Sequence, residues 1–231
     1  MNVNVRGHWG ADLILHCELP LLIVGGGPVT HAEIAEFSSQ TEGVIALDGA
    51  ADRLLDCGVA PLAVLGDLDS LSARARSEFA DRLHYMAEQE TTDFEKALIH
   101  VEAPAFIGIG LGGGRLDHAL AVLNAMARHR KRTVVLADPG NASALVPPSG
   151  LDLTLAPGTR LSLMPLGQSV VTATGLRWPL EGAPLAPDGQ VSASNEVGPS
   201  GQVRIEARGP VLAVLPRQCF SALWTAVLPA R

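Results

Sequence analysis

From Leu21 to about Val146, short apolar runs alternate with longer segments of helical periodicity, the pattern of βαβ units around a mostly parallel sheet. The runs LLIV (21–24), VIAL (44–47), LAVL (62–65), FIGI (106–109) and VVLA (134–137) read as the strands. Residues 30–39, 50–57, 72–81, 93–102 and 116–129 read as the intervening helices, several opening on an Asp, Ser or Thr suited to capping. In such sheets ligands gather beyond the carboxyl ends of the strands, so the residues after each run are where chemistry is expected.

After PPSG (147–150) the texture changes. Gly, Pro, Ser and Thr become frequent, and β-rich stretches such as LDLTL, RLSLM, SVVTAT, QVSAS, QVRIEA and VLAVL replace the helical pattern. The expected fold class is therefore an α/β N-terminal domain over residues 1–148 followed by an all-β domain over residues 149–231. The junction carries too little Gly or Ser for a long flexible tether, which favours packed domains.

Composition narrows the function. Hydrophobic residues make up 47% of the 231 and charged residues 18%, so burial can offset ordering entropy. With 17 Lys plus Arg against 24 Asp plus Glu, the net charge of -7 argues against a nucleic-acid partner. Three dispersed cysteines, Cys17, Cys57 and Cys219, form no CxxC pair and fit a reduced, cytoplasmic setting. The apolar run from Leu13 to Val24 is interrupted by Glu18 and Pro20, and neither a signal peptide nor a membrane span is expected.

Four acidic motifs follow apolar runs. The first is Asp48 and Gly49 after VIAL; Asp48 caps the next helix there, or joins a functional rim. In GDLDS (66–70), Asp67 and Asp69 are two residues apart, so in extended backbone their carboxylates share one side and can grip one hard divalent cation. Two such carboxylates repel one another unless a cation sits between them. In QETTDFEKAL (89–98), Thr92 and Glu95 have capping-box spacing, and Asp93 lies in the first helical turn, where it can serve the helix dipole, a metal, or both. In GLGGGRLDH (110–118), three consecutive glycines let backbone pass close to a bulky ligand, and Arg115 can fork onto phosphate oxygens. No GK[ST] follows and no dinucleotide fingerprint is present, so a polyphosphate site of another kind is indicated. GGGP (25–28) also ends a strand and either borders a nucleotide or makes a plain turn.

In this order the motifs resemble those of the thiamine pyrophosphokinase family. GGGP, DGAADRLL for the family's DGGANRL, GDLDS for GDFDS, QETTDFEKAL for QDxTDFxKxL, GGRLDH unchanged, and then GLRWPL (175–180) and SASNE (192–196) carry the likeness over nearly the whole chain. The resemblance implies an α/β nucleotide- and metal-binding domain, a thiamine-binding β-sandwich, and a homodimer with active sites between subunits. It also implies the reaction of Mg-ATP with thiamine to give thiamine diphosphate and AMP.

By the same resemblance, Asp67, Asp69 and Asp93 hold Mg2+, with Asp48 and Gly49 on the nucleotide rim. Gln89, Thr92 and Arg115 contact the polyphosphate, and Asp69, Asp93, Arg115 and Asp117 form the catalytic set. Asp117 faces the substrate alcohol or its aminopyrimidine. Trp178, Ser194 and Asn195 receive thiamine, a flat indole suiting a cationic ring system. Three departures stand out: Ala50 where the family has Gly, Asp52 for an amide, and Glu90 for a shorter acid. Of the last two, Asp52 adds negative charge and Glu90 repositions it in the region expected near the nucleotide. The apolar tail PRQCFSALWTAVLPAR extends past the usual end and is expected to cover a sheet edge or a subunit contact.

Other readings are a pyrophosphokinase acting on a hydroxymethylpterin, a glycosyltransferase using Asp67-Leu68-Asp69 as its metal site, and a nucleotide sensor without turnover. The glycosyltransferase leaves the TTD and GGRLDH motifs unexplained, and the sensor has no need to retain repelling carboxylates.

Overall fold

The computed structural model describes residues 12–228, and the chain divides between Ala125 and Met126 into two compact units. The first unit contains, in order, β1 (Leu15–His16), β2 (Leu21–Val24), α1 (His31–Ser38), β3 (Gly43–Leu47), α2 (Ala50–Asp56), β4 (Ala63–Gly66), α3 (Ala73–Glu78), β5 (Leu83–Tyr85), α4 (Asp93–His100), β6 (Val101–Glu102) and β7 (Phe106–Ile109), and α5 (Leu116–Arg128) follows. Its sheet has the order β7-β2-β3-β4-β5, parallel throughout. Leu21, Leu22, Ile23 and Val24 are each 0% exposed, which is why β2 reads as an unbroken apolar run: it is covered on both faces.

Local chemistry sets the helix starts. Thr30 accepts from the Glu33 N–H at 3.2 Å while Glu33 accepts from the Thr30 N–H at 2.9 Å, a reciprocal cap for α1. Ser72 and Thr92 cap α3 and α4 through their hydroxyl oxygens, which accept the Ala75 and Glu95 N–H groups. Two helices end earlier than their periodicity predicts. The stretch expected over 72–81 stops at Glu78 and passes through buried Phe79 into a short 3-10 turn. The stretch expected over 93–102 stops at His100, because Val101 and Glu102 pair in parallel with Leu15 and His16.

The second unit holds β8 (Val134–Ala137), β9 (Asn141–Leu145), β10 (Leu151–Thr154), β11 (Arg160–Pro165), β12 (Ser169–Thr174), β13 (Leu180–Leu185), β14 (Ser192–Glu196), β15 (Gln202–Arg208), β16 (Val211–Pro216) and α6 (Phe220–Val227). Antiparallel pairing links β14, β11, β16, β9 and β8 in one row and β10, β15, β12 and β13 in another. Burial alternates along β10, β11, β12 and β15, placing Leu151, Leu153, Leu161, Leu163, Val171, Ala173, Val203 and Ile205 inside and their neighbours outward. The apolar tail passes from the end of β16 through a 3-10 turn into α6, which packs on β9 and β10 and buries Phe220, Leu223 and Val227. The last three residues of that motif, 229–231, lie outside the described residues. No described helix is long and apolar enough to cross a membrane.

Candidate active site

The chain leaves β2 towards β3 on one side and returns to β7 on the other, so the loops after β2 and β7 part in opposite directions. A crevice at such a reversal is the expected ligand position in an open α/β sheet. It is present as a cavity of about 1310 Å³ lined by Gly25–Gly27, Asp48, Asp67, Asp69, Gln89, Thr92, Asp93, Arg115 and their neighbours.

One wall is made by two glycine loops. Gly27 N–H donates to the Gly110 carbonyl at 2.7 Å, and a β-carbon on Gly27 would fall 2.7 Å from that oxygen and 2.8 Å from the Gly112 oxygen. No larger residue permits the approach. Arg53 reaches into the same wall, donating to the carbonyls of Gly27 and Gly26, the latter at 3.0 Å.

The opposite wall is acidic. Asp48, Asp67 and Asp69 each present a carboxylate oxygen within 4.8 Å of the other two. They come from the loops after β3 and β4, whose adjacency in the parallel sheet brings distant sequence together. Asp48 has φ 45°, a strained conformation that turns its side chain into the crevice, and Leu68 has φ 60° between the two loop aspartates. Ala50 carries no such strain, since it opens α2 and the left-handed position falls at Asp48. Asp93 reaches the cluster from the first turn of α4. Burial pushes its carboxyl above the ordinary carboxylate range; Lys96 opposes this, while Asp48 and Asp67 add to it.

Three ionised carboxylates at this separation repel by about 1 kcal/mol per pair in water and about 3 kcal/mol at the effective dielectric of a protein surface. The Asp48 Oδ1 atom is buried and has no hydrogen-bond partner among the described residues. An orphaned anionic oxygen facing two more carboxylates is a donor set that fits a hard divalent cation such as Mg2+.

The remaining candidates of this unit stand around the cluster. Gln89 donates to Asp67 at 3.5 Å. Thr92 accepts the Glu95 N–H through its hydroxyl, so its capping role is occupied while it lines the cavity. Gly49 lies against Ser70, where an added β-carbon would sit 3.2 Å from the Ser70 carbonyl oxygen. Arg115 lines the cavity and holds Asp117 by two hydrogen bonds of 3.2 and 2.6 Å. That pairing pulls the Asp117 carboxyl down to about 2. Asp117 itself does not line the cavity.

Of the departures, Asp52 does not border the cavity; it accepts from the N–H and the hydroxyl of Ser72. Glu90 does line it. Sequence reading passed over two cavity residues, Arg53 and Lys96. Lys96 is buried, with Nζ 3.1 Å from Asp93 and 3.9 Å from Glu88. Its position three residues after Asp93 on a helix was the available signal.

Trp178, Ser194 and Asn195 lie together in the second unit. Trp178 is 52% exposed, with the Arg177 guanidinium 4.7 Å from its ring centroid. Asn195 is buried and directs its amide at the backbone of Trp178, accepting from its N–H at 3.2 Å and donating to its carbonyl at 2.6 Å. Ser194 has φ 58° and donates its N–H to Ser162 at 2.9 Å.

Comparison with known proteins converges on one family. Residues 34–136 match the family model for the thiamin pyrophosphokinase catalytic domain, and residues 151–212 that for its vitamin B1 binding domain. A thiamine pyrophosphokinase of Bacillus subtilis is 29% identical over 188 residues, spanning 76% of this chain and 88% of the relative. Thiamin pyrophosphokinase 1 of Caenorhabditis elegans is 27% identical over 172 residues, 66% of this chain and 70% of the relative. Among solved structures, thiamin pyrophosphokinase from Candida albicans has a TM-score of 0.72 at 14% identity, covering 87% of this chain and 92% of the other. Yeast thiamin pyrophosphokinase has a TM-score of 0.68 at 16% identity, covering 89% and 92%. At those identities the structures speak to the fold alone. With both family models matched in succession along one chain, the protein belongs to the thiamin pyrophosphokinase family.

Proposed function

We propose that this protein is an ATP-dependent diphosphotransferase that moves the pyrophosphoryl group of ATP to the hydroxyl of thiamine, giving thiamine diphosphate and AMP. The observation that carries the reading is the convergence of Asp48, Asp67, Asp69 and Asp93 on a cavity whose other wall is two interlocked glycine loops. In the reaction, the thiamine oxygen forms a bond to the β-phosphorus as the bond from that phosphorus to the α-phosphate oxygen breaks, and AMP leaves with that oxygen. The hydroxyl proton passes to a base or to solvent. Such a transfer needs in-line placement and cancellation of charge more than covalent participation.

Asp67, Asp69 and Asp93 would hold Mg2+, with Asp48 on the same rim. When bound, the ion supplies positive charge to the phosphoryl oxygens. The glycine loops let the polyphosphate lie against backbone, while Gln89 and Thr92 border it and Arg115 offers a fork of donors. Asp117 keeps Arg115 oriented and stands near the substrate alcohol or aminopyrimidine.

In the C-terminal region, taken as residues 149–231, the exposed indole of Trp178 is the platform for thiamine's cationic ring. Asn195 fixes the backbone that carries the indole, and Ser194 beside it offers a polar contact. We also propose a homodimer with active sites formed between subunits; the exposed Leu116 and Leu120, one turn apart on α5, supply apolar surface for association. Incubation with Mg-ATP and either thiamine or a hydroxymethylpterin tests the acceptor. Thiamine diphosphate with equimolar AMP is expected, and turnover of the pterin alone would overturn the assignment.

A further inference from the structure

We propose that Asp52 and Arg53 are paired positioning residues through which helix α2 braces the two walls of the cavity separately, Asp52 the metal loop and Arg53 the glycine loop. The inference rests on the function proposed above. Helix α2 begins two residues after Asp48 and runs between the loop after β2 and the loop after β4, so consecutive side chains on it can reach both.

The Asp52 arm starts at Ser72. The Ser72 N–H donates to Asp52 at 3.0 Å and its hydroxyl donates to the other carboxylate oxygen, while the same hydroxyl oxygen accepts the Ala75 N–H at 3.1 Å as the cap of α3. One turn along α3, Arg76 donates to the Leu68 carbonyl at 2.5 Å. Leu68 is the left-handed residue between Asp67 and Asp69, and the Asp69 N–H donates to Asp67 at 3.3 Å. The path from Asp52 through the α3 cap to Leu68 thus fixes the turn that points two carboxylates at Asp48. Left-handed backbone at a leucine is unfavourable, and it persists only where surrounding contacts hold it.

The Arg53 arm reaches the other wall. Its guanidinium occupies the carbonyl oxygens of Gly26 and Gly27. Carbonyl lone pairs bordering a polyphosphate site would repel the ligand, and a cation placed on them cancels that partial charge while fixing the loop against Gly110. Because the two arms leave α2 from adjacent residues, their losses should be read on different ligands.

The test uses the full-length protein with two binding measurements that need no turnover: Mn2+ titrated by electron paramagnetic resonance, and a non-hydrolysable ATP analogue titrated by calorimetry without metal. Asp52→Ala should weaken Mn2+ binding about tenfold and leave metal-free analogue binding within about twofold, the size expected for loss of a charge-assisted hydrogen bond. Asp52→Asn, which keeps an acceptor for the Ser72 N–H, should recover most of the Mn2+ affinity. Arg53→Met should weaken the analogue about tenfold and leave Mn2+ alone. Circular dichroism and thermal melting identify a variant that has lost its fold, in which case Ser72→Ala and Arg53→Lys carry the same comparison with smaller expected shifts. Equal effects of both variants on both ligands, or no effect of either, would overturn the brace. Absence of Mn2+ binding by the unmodified protein would instead overturn the metal site on which it rests.

Discussion

A β-carbon placed on Gly66 would lie 3.1 Å from Asp93 Oδ2 and 3.1 Å from the β-carbon of Asp48, so the last residue of β4 is the floor on which an acidic side chain from the loop after β3 meets one from the first turn of α4. Gly66 also has φ 146°, backbone that side-chain-bearing residues rarely adopt. Gly66→Ala is expected to cost about 1–3 kcal/mol of stability from backbone strain and, by displacing Asp93, to lower turnover at least tenfold. Thermal melting and steady-state kinetics of the purified variant check both parts. A variant with parental turnover would show that the Asp48–Asp93 approach is irrelevant to activity.

Asp69→Asn separates charge repulsion from catalysis. Without divalent cation, removing one of three mutually close carboxylates relieves roughly 1 kcal/mol or more of repulsion, so the metal-free variant should melt a few degrees higher than the parent. Its turnover should nonetheless fall by orders of magnitude, and the stabilisation that Mg2+ confers on the parent should shrink. Scanning calorimetry with and without Mg2+ reads the two stabilities, and AMP release under steady-state conditions reads the turnover; a variant less stable than the parent in the absence of metal would contradict the repulsion argument.

Asp117 gives a pH prediction. Arg115 holds its carboxyl at about 2, below the ordinary value of about 4, so the pair's contribution is complete above the ordinary value and fades only as pH falls towards the lowered one. Between about pH 5 and pH 9 Asp117 therefore keeps its charge, and it cannot supply an ionisation to the pH profile of the free enzyme. The profile of kcat/KM for Asp117→Asn should be lower in height and unchanged in its inflections. Loss of an inflection from that profile would assign Asp117 a titrating role that the geometry denies.

Trp178→Ala is expected to raise the KM for thiamine tenfold or more with the KM for ATP little altered, since in the proposed site the exposed indole would meet the cationic ring and is far in sequence from the glycine and acidic loops. Kinetics with each substrate varied in turn decide the matter. An effect confined to ATP would remove Trp178 from the thiamine pocket.

The strand-terminal aspartates were legible because each follows a buried apolar run, and a parallel sheet delivers all such ends to one edge. Asp67 and Asp69 are two apart, and Asp93 opens a capped helix; both patterns are local. Arg53 was not legible, since its partners, the Gly26 and Gly27 carbonyls, are contributed by another loop and carry no side-chain signature. The strain at Asp48 was hidden similarly: attention falls on Ala50, where glycine is missing, whereas the left-handed turn is two residues earlier. Strands β5 and β13 escaped because LHY is too short to alternate and LEGAPL presents mostly exposed or half-buried residues. In α6, Phe220, Leu223 and Val227 have helical spacing, but Ala222, Trp224 and Ala226 between them blur the apolar stripe.

The most direct test of the account follows the phosphorus atoms of ATP. With thiamine, Mg2+ and ATP labelled separately at the α- and γ-phosphates, the γ label is predicted to appear in thiamine diphosphate and the α label in AMP, in equal amounts. Appearance of ADP together with a singly phosphorylated thiamine, or of the γ label only as free phosphate, would contradict it.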